Sequence, residues 1–272
     1  MHRAVGRPQV VAHRGSSHTN PEHTLGAYLK ALDEGAEGLE CDVRLTADGH
    51  LVCVHDRRID RTANARGVVS TMELDQLDQL DFASWKTPWS DLDDEALDVD
   101  DSARRVLTMR ALLEAVADYD RPVDLAIETK HPTRYGGLVE RRLVDLLASF
   151  GWTGKDSPAR IMSFSWVALN RVKKLAPQLE VVQLVERMVA WPKTENILTK
   201  GWIAGPGIAL LRDNPRFARR LADSGRRVHV WTVNTAEDLD LCADLGVEAV
   251  ISDKPEMALK HLTRERSTTG NF

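Results

Sequence analysis

The chain holds only three cysteines in 272 residues, Cys41, Cys53 and Cys242, an odd number without metal-ligand spacing. Cys41 and Cys53 could lie near each other, but both read as reduced packing residues of an intracellular protein. No stretch reaches the roughly 18 apolar residues of a membrane span. The opening MHRAVGRPQVVAHRG also lacks an apolar run of signal-peptide length, so the expected location is cytoplasmic, without stable membrane insertion. Positive charge is in deficit: the formal net charge is −5 and no basic cluster occurs, which argues against a nucleic-acid binder. There is no Gly-x-Ser-x-Gly elbow, no P-loop and no dinucleotide fingerprint. Repeats and low-complexity tracts are missing as well.

What remains is a globular composition, 43% hydrophobic and 28% charged, in a chain long enough for one large core. The stretch 38–56, GLECDVRLTADGHLVCVHD, organises the rest. Read as a strand, 39–45 sends Glu40, Asp42 and Arg44 to one face and Leu39, Cys41 and Val43 to the other. Asp48 and Gly49 signal a type I′ hairpin turn. With that pair at its centre, His55 falls opposite Asp42, Cα to Cα about 5 Å, and a one-residue slip would turn His55 to the other face. Two acids and a histidine on one patch raise one another's energy unless a cation compensates. Oxygen ligands suit magnesium or calcium. The alternative is an exposed hairpin with solvated charges.

Residues 9–12 form a short apolar-rich strand running into His13, Arg14 and Gly15, which makes either an anion site or a simple strand cap. Asn20 and Pro21 suggest an N-cap and first helical position, followed by Leu25, Tyr28, Leu29 and Leu32 at helical spacing. Glu22 then sits in the first turn, where an acid complements the helix dipole. Residues 57–105 read as an insertion with a short helix at 70–80. Within it, 91–101 carries seven acids and no base, a solvated loop or a lid.

From residue 108 the pattern is regular. Helical segments at 108–117, 135–150, 166–176, 215–224 and 236–245 alternate with strand-like runs at 123–128, 160–164, 180–185, 203–210, 227–233 and 248–252. With 9–13 and 39–43 the strands number eight, which predicts an α/β fold, a TIM (β/α)8 barrel. A β-hairpin follows its second strand and an insertion precedes its second barrel helix. The barrel spans 1–262 as a single domain, ending in a helix at 255–262. Residues 263–272 are expected to be a disordered polar tail. In a barrel the working face lies at the C-terminal strand ends. Those ends carry His13, Arg14, Glu40, Asp42, Glu128, Lys130 and Trp231.

AHRG at 12–15, PEHT at 21–24, the 38–56 stretch, DLAIETK at 124–130, VWTVN at 230–234 and ISDKP at 251–255 resemble the glycerophosphodiester phosphodiesterase family. The likeness covers nearly the whole chain in the family's order. It implies a barrel hydrolase that cleaves glycerophosphodiesters, deacylated phospholipids, to glycerol 3-phosphate and an alcohol. It further implies His13 and His55 as the acid-base pair, Glu40, Asp42 and Glu128 as ligands of one divalent cation, Mg2+ or Ca2+, Arg14 and Lys130 as phosphate contacts, and Trp231 beside the glycerol. Glu22 belongs to the surroundings of this site.

Two departures from the family stand out. His23 stands where PENT has asparagine, which bears on a hydrogen bond beside the site. Val106, Leu107, Thr108 and Met109 stand where the family has Ile-Pro-Thr-Leu before a helix. The expected mechanism takes His13 as base and His55 as acid, or the reverse, with water or the substrate's own hydroxyl as nucleophile. His18, His23, His50, His131, His229 and His261 are expected to be structural or surface residues. Competing readings are a barrel phospholipase or lyase acting on intact lipid, and a non-catalytic phosphoester-binding barrel.

Overall fold

The structure, a computed structural model, describes residues 6–86, 104–186 and 201–269. Its strands are Gln9–His13 (β1), Gly38–Leu45 (β2), Leu51–Cys53 (β3), Asp124–Thr129 (β4), Ala159–Ser163 (β5), Glu180–Val185 (β6), Ile203–Pro206 (β7), His229–Val230 (β8) and Ala249–Ser252 (β9). All but β3 are parallel, in the order β7-β6-β5-β4-β2-β1-β9-β8. Isolated parallel bridges from Ala204 to Val228 and from Gly207 to Trp231 join the two ends. The result is the expected (β/α)8 barrel, nearly closed, with helices outside.

Strand alternation sorts the side chains. Val11, Ala126, Met162, Val182, Leu184, Ile203, Ala249 and Ile251 fill the barrel interior, while Val10, Ala12, Leu39, Cys41, Val43, Leu125 and Ile127 face the helical layer. The helices that cover the barrel have side-chain caps where the sequence supplies them. Thr24, Thr108, Ser165 and Thr235 each accept from a backbone N–H in the first turn of Leu25–Asp33, Met109–Ala117, Trp166–Leu175 and Ala236–Asp244. A smaller core of Val52, Val54, Ile59, Val69, Leu77, Phe82 and Val106 lies under the segment that follows β3.

Several expected details differ. Strand β3 does pair antiparallel with β2, but Val43 faces Cys53 and Leu45 faces Leu51, so the register is one residue from the expected one. The cause is the turn. Thr46 N–H donates to His50 O at 2.9 Å and its hydroxyl accepts from His50 N–H at 2.9 Å, leaving residues 47–49 as the loop with Gly49 at φ +89°. A three-residue loop with a left-handed glycine replaces the two-residue type I′ turn. Asp42 therefore faces Val54, whose N–H donates to Asp42 O at 3.1 Å. His55 still reaches the acidic patch, because β3 ends at Cys53 and strand alternation no longer governs it.

The first helix starts at Leu25, not Pro21, with Thr24 as its cap. His23 sits at φ +62° and its N–H donates to Arg14 O at 3.1 Å, so residues 21–23 form a turn that folds back on the first strand. Glu22 consequently lies outside any helical turn. The expected helix at 70–80 is a short 3-10 turn, Val69–Thr71, and a separate helix Leu74–Asp78. The expected strand 203–210 stops at Pro206, and a short helix, Ile208–Asp213, begins after Gly207. The final helix runs Pro255–Thr269, past Leu262, since no glycine or proline interrupts 256–269. The acidic run 91–101 and the stretch 187–200 lie outside the described residues.

Candidate active site

Barrel register assembles the site. In β1 and β2, His13 pairs with Glu40; in β2 and β4, Asp42 pairs with Glu128. Adjacent parallel strands lie roughly 4.8 Å apart, so inward side chains at paired positions are neighbours. Glu40, Asp42 and Glu128 are all buried, and each offers a carboxylate oxygen within 4.8 Å of the others. Glu40 pairs with Ala126 on β4, an inward position that carries only a methyl group.

Cations surround the acids. Lys130 Nζ lies 2.9 Å from both Asp42 Oδ1 and Glu128 Oε2. Arg14 Nε is 3.1 Å from Asp42 Oδ2, and Arg14 Nη1 donates to Glu22 at 3.0 Å. Arg14 is held at φ +56°, with its own N–H donating to Glu40 O at 3.1 Å and Glu40 Oε2 at 3.2 Å. The Asp42 carboxylate also meets His23 Nε2 at 3.0 Å, and His23 Nδ1 meets the Tyr28 hydroxyl at 2.8 Å. His23 thus fills the place left in question by the departure from PENT.

These surroundings split the three carboxyls. Burial, then Asp42, push Glu40 far above the usual range, and the same two causes push Glu128 up to about 7. Burial opposes ionisation of Asp42, but Lys130, His23 and Arg14 outweigh it and hold that carboxyl well below its usual value. Lys130 and Arg14 are raised despite burial, chiefly by Asp42. A site that forces two of three acids toward protonation is short of positive charge. The oxygen-only donor set fits a hard divalent cation, which would relieve that shortage. Asp42 Oδ1, buried and without an aligned hydrogen bond among the described residues, is an oxygen such an ion could take.

The two imidazoles have separate supports. His13 Nδ1 lies 2.6 Å from Asp253 Oδ1, while its Nε2 is 3.9 Å from Glu40 Oε2. Asp253 is held in turn by Asn234 Nδ2 at 2.6 Å and the Ser17 hydroxyl at 3.0 Å. Burial opposes ionisation of the Asp253 carboxyl, yet His13, Asn234 and Ser17 keep it well below its usual range. His55 Nδ1 lies 2.8 Å from Asp56 Oδ1, and Arg61 joins Asp56 to Glu22 with three bonds of 2.6–2.7 Å. Arg44 Nε and Nη2 donate to the His55 carbonyl at 3.0 and 2.7 Å. Burial, against the pull of Asp42 and with Arg14 and Lys130 beside it, lowers His55 to about 4.

His13, Arg14, Glu40, His55, Glu128, Lys130 and Trp231 line one cavity of about 270 Å³ at the C-terminal barrel face. Asp42 lies beneath them, and Glu22 stands one layer out, bridging Arg14 and Arg61. Trp231 Nε1 donates to Gly205 O at 2.8 Å, and its ring meets Phe164 edge-on at 5.5 Å between centroids. Sequence reasoning had not singled out Asp253, Asn234, Asp56, Arg61 or Phe164. Asn234 and Asp253 do lie inside the VWTVN and ISDKP motifs, and Asp56 directly follows His55.

The whole arrangement lies within residues 13–257, which match the Glycerophosphoryl diester phosphodiesterase family. The chain belongs to this family. A Mycobacterium tuberculosis relative named "Probable glycerophosphodiester phosphodiesterase 1" is 44% identical over 255 residues, 92% of this chain and 91% of the relative. The Bacillus subtilis glycerophosphodiester phosphodiesterase is 33% identical, covering 91% and 84% of the two chains. Among solved structures, an Oleispira antarctica phosphodiesterase in complex with the product sn-glycerol-3-phosphate superposes with a TM-score of 0.78 at 25% identity, over 94% and 97% of the chains. Among the described residues no helix is long and apolar enough to cross a membrane.

Proposed function

We propose that the protein hydrolyses glycerophosphodiesters to glycerol 3-phosphate and an alcohol in a cation-dependent reaction, with His13 and His55 moving the protons. The observation that carries this reading is the convergence of a trio of buried carboxylates, two imidazoles, Arg14 and Lys130 around one cavity, which all of them but Asp42 line. Glu40, Asp42 and Glu128 would hold Mg2+ or Ca2+, which when bound supplies Lewis-acid stabilisation of charge on phosphoryl oxygens. Arg14 and Lys130 add fixed positive charge for the diester's anionic oxygens. Trp231 and Phe164 offer a wall for the carbon face of the glycerol.

Burial suits His55 to accept the proton and leaves its donation to His13, the reverse of the order with His13 as base and His55 as acid. His55, lowered to about 4, is neutral at pH 7 and suited to accept a proton. His13, oriented by Asp253 at Nδ1 with Nε2 toward the cavity, is left to protonate the leaving alkoxide from Nε2. Incubation with glycerophosphocholine, with and without chelator, while assaying glycerol 3-phosphate, tests the activity and its ion dependence. His13→Ala and His55→Ala should each lower turnover by on the order of 10²–10⁴-fold. Near-normal rates in both variants would remove the acid-base pair, and chelator-insensitive turnover would remove the ion.

A further inference from the structure

A second cavity, about 470 Å³, adjoins the first, and Lys130 lines both. Among the described residues its wall carries Arg44, Arg57 and Arg134 besides Lys130, together with the hydroxyl residues Ser70, Thr71 and Thr133, and no acid. Arg57 and Arg134 are exposed, and among the described residues neither makes an ion pair; Arg134 lies over the Tyr135 ring at 5.7 Å. Lys130 shares its charge with Asp42 and Glu128, so the surplus positive charge belongs to the three arginines.

The walls are tied together before anything binds. Val69 N–H donates to Arg57 O at 3.1 Å, fixing the Arg57 backbone to the turn that bears Ser70. The Tyr135 hydroxyl donates to Ser70 O at 2.7 Å, joining that turn to the loop that bears Thr133 and Arg134. The groove also begins beside the reacting centre, since Arg44 holds the carbonyl of His55. On the phosphodiesterase reading above, with the glycerol half against Trp231 and the scissile phosphate between Arg14 and Lys130, the remaining ester substituent would extend past Lys130 into this groove.

We propose that the groove selects glycerophosphodiesters whose alcohol half carries a phosphate of its own. This rests on the phosphodiesterase reading above. Several guanidinium forks and hydroxyls around one opening match a tetrahedral oxyanion far better than a choline or ethanolamine cation, which they would repel.

The test uses the full-length protein and a matched pair of substrates, glycerophosphoinositol and its 4-phosphate, which differ only in the added phosphate. The phosphorylated substrate should show a kcat/KM on the order of tenfold higher at low salt, with the advantage shrinking as ionic strength rises. The double variant Arg57→Gln/Arg134→Gln should lose that advantage through KM while cleaving unphosphorylated glycerophosphoinositol as the parent does. Equal kcat/KM for the two substrates in the parent protein overturns the groove assignment alone. So does an equal loss on both substrates in the variant. Cleavage of neither substrate, nor of glycerophosphocholine, overturns the phosphodiesterase reading and the groove with it.

Discussion

Asp253 Oδ1 and His13 Nδ1 are 2.6 Å apart although 240 residues separate them in sequence. The pairing of β1 with β9 brings them together, with Ala12 beside Ser252. A carboxylate can only accept, so the contact fixes the proton of a neutral His13 on Nδ1 and leaves Nε2 facing Glu40 and the cavity. Asp253→Asn removes the counter-charge and lets the amide stabilise the wrong ring tautomer. Turnover should fall by roughly 10²-fold or more with KM little changed, read by steady-state kinetics on glycerophosphocholine. A kcat within twofold of the parent would show that Asp253 does not orient the ring.

His23 carries a second relationship of the same kind, one shell below the carboxylates. Buried, with its pKa lowered by that burial, it sits between Tyr28 and Asp42. His23→Ala removes a partner from Asp42 Oδ2 and should weaken activation by added cation roughly 10- to 100-fold. His23→Asn, which tolerates the φ of +62° and keeps a side-chain donor, should retain more of the affinity. The concentration of Mg2+ or Ca2+ giving half-maximal rate reads both. Indistinguishable values in His23→Ala and the parent would separate His23 from the ion site.

Gly15 tests the backbone that carries Arg14. Its φ is +87°, and an added Cβ would meet the Ala27 backbone carbon at 2.6 Å and its oxygen at 2.7 Å. Ser16 N–H also donates to Ala27 O at 2.9 Å, so this loop cannot withdraw without losing that bond. Gly15→Ala combines left-handed strain with a backbone clash and should cost at least about 2 kcal/mol. Urea denaturation measures it, and an unchanged midpoint would mean that the loop relaxes freely.

Much of this was legible in the chain because strand alternation is local. Glu40 and Asp42 had to share a face, and the parallel barrel added only the register that sets them beside His13 and Glu128. The hairpin register was not legible. It turned on whether Thr46 and His50 close the loop, and that depends on side-chain hydrogen bonds the Asp48-Gly49 signal does not report. The start of the first helix was misread for a related reason. Asn20-Pro21 is a good local start signal, but His23 is drawn back to the Arg14 carbonyl, and Thr24 caps instead. The support of His13 was illegible because Asp253 acts across the fold, whereas Asp56, the support of His55, is its neighbour in sequence.

His229 lies at the opposite, N-terminal end of the barrel strands and should set an acid limit on stability. It is 1% exposed, neither ring nitrogen has a hydrogen-bond partner within 3.5 Å among the described residues, and Arg160, Arg227 and Glu248 surround it. Burial first, then Arg160, lower it from 6.5 to about 4, although Glu248 at 3.7 Å pulls the other way. Between those two pH values the unfolded chain is protonated at His229 and the folded protein is not. The unfolded state therefore binds more protons there, and stability rises with pH from about 4 to 6.5 and then levels. The interval corresponds to roughly 3 kcal/mol at full burial. His229→Gln has no titrating ring, so its unfolding free energy should lack this rise even if it starts lower. Urea unfolding of both proteins at several pH values decides the matter: parallel curves would place the titration elsewhere, as would an NMR titration of His229 centred near its unperturbed value.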